Sequence, residues 1–171
     1  YLTVNEAHEE IELLPKLIKQ EFGETVEFFV LAGGCREFSC PMCAKQNPVL
    51  KEAAEKYRIP WIRHDFPLQM HVWSFDAAVN ARWFDTKSKK IGDEFRDSVF
   101  ANQSSIETKS DLRAFSEKFA QKHEIGFPFV VDPQGKLTAE VKADYALGQR
   151  IGIEHTPTVW IVTNKTSGTP Y

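Results

Sequence analysis

Cys40-Pro41-Met42-Cys43 puts two thiols three positions apart at the head of a helix-like stretch, and the reading of these four residues decides the fold. From Pro41 to Tyr57 the apolar positions Met42, Ala44, Val49, Leu50, Ala53, Ala54 and Tyr57 suit a helix, with Pro48 inside it as an expected kink. Cys40 then stands at the helix N-terminus, where unpaired N–H groups and the positive end of the helix dipole favour a thiolate and draw its pKa below the free value of ~8.5. Pro41 fits the first turn, where a missing N–H costs nothing. Cys43, one turn in, is placed to attack a mixed disulfide formed at Cys40, so Cys40 is the exchanging sulfur and Cys43 the resolving one. The competing reading is half a zinc site, which needs two more N or S ligands. Cys35 extends the pattern to C-x4-C-x2-C, but His64, His71 and His155 stand isolated along the chain, and no metal is expected.

Working outward, Val26 to Ala32 is a continuous apolar, β-branched and aromatic run bounded by Glu24 and Gly33-Gly34, which suits a strand buried on both faces. Before it, Asn5 to Phe22 reads as an amphipathic helix, with Pro15 as a kink or late start. Ile59 to Asp65 is a short second strand. Beyond Pro67 the pattern turns helical over Met70–Phe84, Ile91–Phe100 and Lys109–His123, the last capped by Ser110 or Thr108. His71, Trp73 and Trp83 fall at helical spacing with Phe75 and Phe84, a packing pattern. Asp132-Pro133-Gln134-Gly135 is a turn signal, and a further helix through Leu137, Val141, Tyr145 and Leu147 ends near Gly148 or Gly152. Thr158 to Thr163 is a β-branched strand. This order gives an α/β sheet whose middle is filled by helices.

Composition narrows the functions. The chain has 171 residues, 42% apolar and 26% charged, enough for one globular domain with its own core. Three cysteines are too few, and odd in number, for a disulfide scaffold. With 21 basic and 24 acidic residues the net charge is -3, which argues against nucleic-acid binding. Lys87 to Lys90, the one dense basic run, reads as a solvated loop between helices. The longest apolar runs, Phe28–Ala32 and Phe127–Val131, fall far short of the ~18 residues a bilayer span needs, so no membrane insertion is expected. The first residue is Tyr1 and not Met, which suggests a removed leader or a start within a longer protein.

The order Glu27-Phe28-Phe29, Cys40-Pro41-Met42-Cys43, Pro67-Leu68 entering a helical block, and Leu147-Gly148 running to Ile153-Glu154-His155-Thr156-Pro157-Thr158 resembles the DsbA-like disulfide oxidoreductases of the thioredoxin fold, over about residues 24 to 165. The resemblance implies a thioredoxin fold with a helical insertion between the second strand and the cis-Pro strand. Residues 1–66 plus 133–171 would form the thioredoxin-like domain with its N-terminal helix, and 67–132 the inserted block. It also implies thiol–disulfide exchange with protein or peptide substrates, a membrane redox partner that resets the pair, no cofactor, and a periplasmic or otherwise extracytoplasmic setting. Such a fold finishes with another strand and helix, whereas nine residues follow Val162. Either the end has been trimmed or Asn5–Phe22 covers that part of the sheet.

By the same resemblance Thr156-Pro157 is a cis peptide whose backbone would pair with an extended substrate beside Cys40, with His155 next to it as a cation that favours the thiolate. A strand-start proline is the alternative for Pro157, and a solvent-facing loop histidine for His155. Glu27 resembles the buried acid that moves the proton of the resolving thiol. Residues Gly33 to Ser39 lengthen the path from Glu27 to Cys40, so Glu37 is a local substitute and an ordinary strand-edge glutamate the plain reading. Cys35 is a buried hydrophobe, a thiol able to exchange with Cys40, or half of a link to another segment. Strongly oxidising relatives carry His where Met42 stands; an apolar thioether stabilises the thiolate less, so a milder oxidant is expected. Oxidase and reductase directions both stay open. Two other classes compete: a redox-inert peptide-binding module, and a thiol peroxidase suggested by Phe127 to Lys136.

Overall fold

Six residues with no charge but Glu27 form the central strand β1, Val26–Leu31, and neighbours flank it on both edges. The computed structural model describes residues 26–31, 41–58, 61–67, 72–153 and 158–163. The expected helix Asn5–Phe22, together with Cys35, Cys40, His71, His155, Thr156 and Pro157, lies outside the described residues. β2, Trp61–Arg63, runs parallel to β1 with Val30 opposite Arg63, and β3, Thr158–Thr163, runs antiparallel with Leu31 opposite Thr158. Between β1 and β2 stands helix α1, Pro41–Tyr57, which continues through Pro48.

Four helices separate β2 from β3: α2, Ser74–Asp85; α3, Lys89–Ala101; α4, Lys109–Lys122; and α5, Lys136–Arg150. Their starts are set by local chemistry. Ser88 Oγ accepts the Ile91 N–H at 3.1 Å, so α3 begins directly after it. Lys89 and Lys90 therefore belong to a helix, correcting the loop expected for the basic run, and they face Asp93 and Glu94 one turn on. Of the two expected caps on α4, Thr108 is used. Its hydroxyl accepts from the Asp111 N–H and the Asp111 carboxylate accepts from the Thr108 N–H, a reciprocal capping box. The Asp132–Gly135 turn closes with a 3.2 Å N–H to O=C bond and puts Gly135 at φ +69°, where a side chain would be strained.

Among the described residues, a buried core lies between the helices. Phe84, Phe95, Val99, Leu112 and Val141 are fully buried, with Trp73, Ile106 and Phe119 nearly so. Ring centroids stand 4.5 Å apart for Phe84–Phe95, 5.0 Å for Phe84–Phe119 and 5.2 Å for Phe95–Phe119. This confirms Trp73 and Phe84 as packing residues. Two buried polar pairs tie the helices together: Asn80 Nδ2 donates to Ser116 Oγ at 3.0 Å, and Arg96 sends a two-pronged fork to Asp85 at 2.8 and 2.6 Å. Gly92 makes room for that fork, since a Cβ there would meet Asp85 Oδ1 at 1.9 Å. α5 closes onto the exit from β2: Phe66 stacks on Tyr145 at 4.7 Å and lies where a Cβ on Gly148 would come within 2.5 Å of its ring.

Candidate functional site

The strand directions bring three segments of chain to one end of the sheet. β1 and β2 are parallel, so Leu31 and Arg63 finish side by side; β3 is antiparallel, so it starts there, with Thr158 opposite Leu31. Residues 32–40, which carry Cys35 and Cys40, depart from Leu31, and residues 154–157, which carry His155, Thr156 and Pro157, lead into Thr158. The two stretches singled out by their chemistry are thus tethered to paired positions. Carboxyl ends of parallel strands are where ligands bind in α/β sheets. Pro41 is the first residue of α1 and Cys43 the third, so the last three residues of the Cys-Pro-Met-Cys run lie in the first turn of this helix. Glu27 lies opposite Val162, four residues before Leu31. At ~3.3 Å per residue that is roughly 13 Å back along the strand from the end that leads to Cys40.

A charged cluster fills the same end beside β2. Arg82 of α2 donates from Nε to Asp65 Oδ2 at 2.6 Å, from Nη1 to Glu140 Oε2 at 3.3 Å, and from Nη2 to Asp144 Oδ2. Asp144 of α5 also meets His64 Nδ1 at 2.9 Å and accepts the Asp65 N–H at 2.9 Å. His64, isolated along the chain, is thus paired in the fold. Its hydrogen bond to Asp144 lifts the imidazole above the usual histidine range, against the opposing effect of burial. Burial works to raise the Asp144 carboxyl, but hydrogen bonds from His64 and the Asp65 N–H, with the Arg82 charge, outweigh it and hold it low.

This pair fixes a pH dependence. A histidine raised in the folded state adds stability that is fully present below its unfolded pKa of ~6.5 and is lost as pH rises through the folded value. Thermal unfolding at pH 6 and pH 8 should show that loss in the parent and a smaller one in His64→Gln. An equal change in both chains would remove His64 from the account.

A second polar chain ties α1 to its neighbours. Arg63 Nη2 donates to Asn47 Oδ1 at 3.1 Å, Asn47 Nδ2 donates to Asp97 Oδ1 at 2.8 Å, and Lys51 Nζ reaches Asp97 Oδ2 at 2.8 Å. Sequence reading missed both clusters because their partners lie 46 to 80 positions apart, apart from Arg63 and Asn47 at 16 and Arg82 and Asp65 at 17. The one local signal was the spacing Cys43, Asn47, Lys51, a single face of a helix.

Among the described residues, no group of His, Cys, Asp and Glu is arranged to hold a metal ion, and no helix is long and apolar enough to cross a membrane. A family model described as Thioredoxin matches residues 36–169. The chain matches no curated protein. Among solved structures it is similar to alpha-DsbA1 of Wolbachia pipientis, with a TM-score of 0.67 and 20% identity over 85% of this chain and 74% of that one. It is similar to DsbA2 of Pseudomonas aeruginosa, with a TM-score of 0.63 and 20% identity over 86% and 79%. The thiol-disulfide exchange protein alpha-DsbA2 of Wolbachia pipientis gives a TM-score of 0.60 and 15% identity over 95% and 90%.

Proposed function

Because the chain belongs to the thioredoxin family and has the fold of the DsbA proteins, we propose that it exchanges disulfides with protein or peptide substrates through Cys40 and Cys43. The observation that supports this most is the Cys-Pro-Met-Cys run at the head of α1, with the segment before α1 and the Thr156-Pro157 segment attached to paired residues of β1 and β3. In the oxidising direction a substrate thiolate attacks Cys40 Sγ, the Cys40–Cys43 bond breaks, and Cys43 leaves with the electron pair. A second substrate thiolate then attacks its own sulfur in the mixed disulfide and releases Cys40 as a thiolate. The substrate has lost two electrons and the pair has gained them. The reducing direction runs the same steps backward.

On this reading Pro41 and Met42 tune the pair, while Thr156, in a cis bond to Pro157, and His155 hold an extended substrate. Glu27 enters as the acid that moves the resolving proton. Residues 67–132 are an inserted helical block on a thioredoxin-like domain of residues 1–66 plus 133–171. Helix α5 serves both, since Val141 shares the buried core of α2 to α4. An extracytoplasmic site, with a membrane redox partner to reset the pair, completes the proposal. The test is a dithiol-oxidation and insulin-reduction assay of the parent beside Cys40→Ser. Exchange by the parent alone supports the reading, and equal signal from both favours a redox-inert peptide-binding module.

A further inference from the structure

Arg63 ends β2 as a buried cation, its side chain 8% exposed. Its Nε and Nη1 atoms are buried and have no hydrogen-bond partner among the described residues. The carboxylates near it are shared with other groups: Asp97 takes Asn47 and Lys51, and Asp93 lies 3.1 Å from Lys89, 3.8 Å from Arg96 and only 3.9 Å from Arg63. Asp65 is held by Arg82. Burial, and then the like charge of Arg96, pull the Arg63 guanidinium below the usual arginine range. A buried charge with two unused donors is costly to keep, and what lowers that cost is a nearby anion. Its one short bond goes to Asn47, and Asn47 lies four residues, one helical turn, after Cys43 on the same face of α1.

We propose that Arg63 is a positioning residue for the redox pair: anchored by Asn47 one turn along α1 from Cys43, its buried charge stabilises the Cys43 thiolate. The inference rests on the redox reading of Cys40 and Cys43. It acts in both directions of exchange. When a substrate thiolate opens the Cys40–Cys43 bond, Cys43 departs as a thiolate and the cation makes it a better leaving group. When Cys43 resolves a mixed disulfide, its thiol gives up its proton by way of Glu27, attacks Cys40 Sγ and expels the substrate sulfur as a thiolate, and the cation eases that deprotonation.

The test reads the pKa of Cys43 as the lone thiol, in the 171-residue chain carrying Cys35→Ser and Cys40→Ser, from the pH dependence of its alkylation by iodoacetamide. Adding Arg63→Gln is expected to raise that pKa by about one unit, a roughly tenfold loss of thiolate near neutral pH. Arg63→Lys keeps the charge and should restore at least half of the difference. Asn47→Leu removes the anchor of the guanidinium without adding a charge of its own and is expected to raise the thiol pKa too, which decides the matter should neither Arg63 variant fold. An unshifted thiol in the folded variants, or a shift as large in Arg63→Lys as in Arg63→Gln, overturns the inference. The measurement needs no exchange activity. A parent chain that fails to exchange disulfides would defeat the redox reading, whereas an unshifted thiol in an active chain would defeat this inference alone.

Discussion

Cys40→Ser is expected to lower disulfide exchange by about a thousandfold or more, the scale on which removal of an activated nucleophile acts in other enzymes. Exchange requires an attacking or attacked sulfur, and a serine oxygen cannot form the mixed disulfide. The position carries the advantage of the helix head, because Pro41 opens α1 and its first turn leaves N–H groups unpaired. Cys43→Ser should behave differently. Cys40 can still attack a substrate disulfide, but nothing one turn away expels the substrate, so a covalent mixed disulfide accumulates. Turnover assays with non-reducing electrophoresis separate the two outcomes. A complex trapped by Cys40→Ser and not by Cys43→Ser would reverse the assigned roles.

Phe84→Ala is expected to destabilise the fold by about 4 kcal/mol, within the ~3–5 kcal/mol typical of emptying a buried aromatic site. Phe84 has no exposed surface, and its ring packs on Trp83, Phe95, Phe119 and Phe127 at centroid distances of 4.9, 4.5, 5.0 and 5.7 Å. Those rings come from α2, α3, α4 and the segment before α5, so no single helix can shift to fill the hole. A fall in melting temperature of roughly 8–16 °C follows for a domain of this size. Val72, 66% exposed, is the control: Val72→Ala should change stability by no more than about 0.5 kcal/mol. Denaturant unfolding with an unchanged slope would confirm that the native state, and not the unfolded ensemble, carries the loss.

Much of the fold was legible because its signals are local. Helix α1 spans Pro41–Tyr57 and β3 spans Thr158–Thr163, both as the sequence pattern predicts, since a helix-opening proline and a β-branched run each act within a few residues. Of the strand expected over Ile59–Asp65, Trp61–Arg63 is strand, His64 and Asp65 are not, and Ile59 and Pro60 lie outside the described residues. The last two residues of that stretch dock on α5: the His64 ring meets Asp144, and the Asp65 N–H is given to Asp144 rather than to the sheet ladder. The helix expected from Met70 starts at Ser74, after a turn in which Trp73 folds into the core. At the candidate site, the cysteine pair stands out as a local motif, and the Thr156-Pro157 segment enters through the family resemblance. The Arg63–Asn47–Asp97 chain and the Arg82–Asp144–His64 cluster could not, because they form only when distant elements dock.

The most direct test of the redox assignment is the reduction potential of the Cys40–Cys43 pair, obtained by equilibrating the protein in glutathione buffers and mapping the linked cysteines by mass. The account predicts a reversible two-electron transition confined to Cys40 and Cys43, with a potential more negative than the ~-120 mV of the strongest oxidant of this kind because Met42 supplies no cation to the thiolate. A potential at or above that value would contradict the role given to Met42. Cys40 and Cys43 that stay alkylatable at every glutathione ratio would contradict the redox assignment itself.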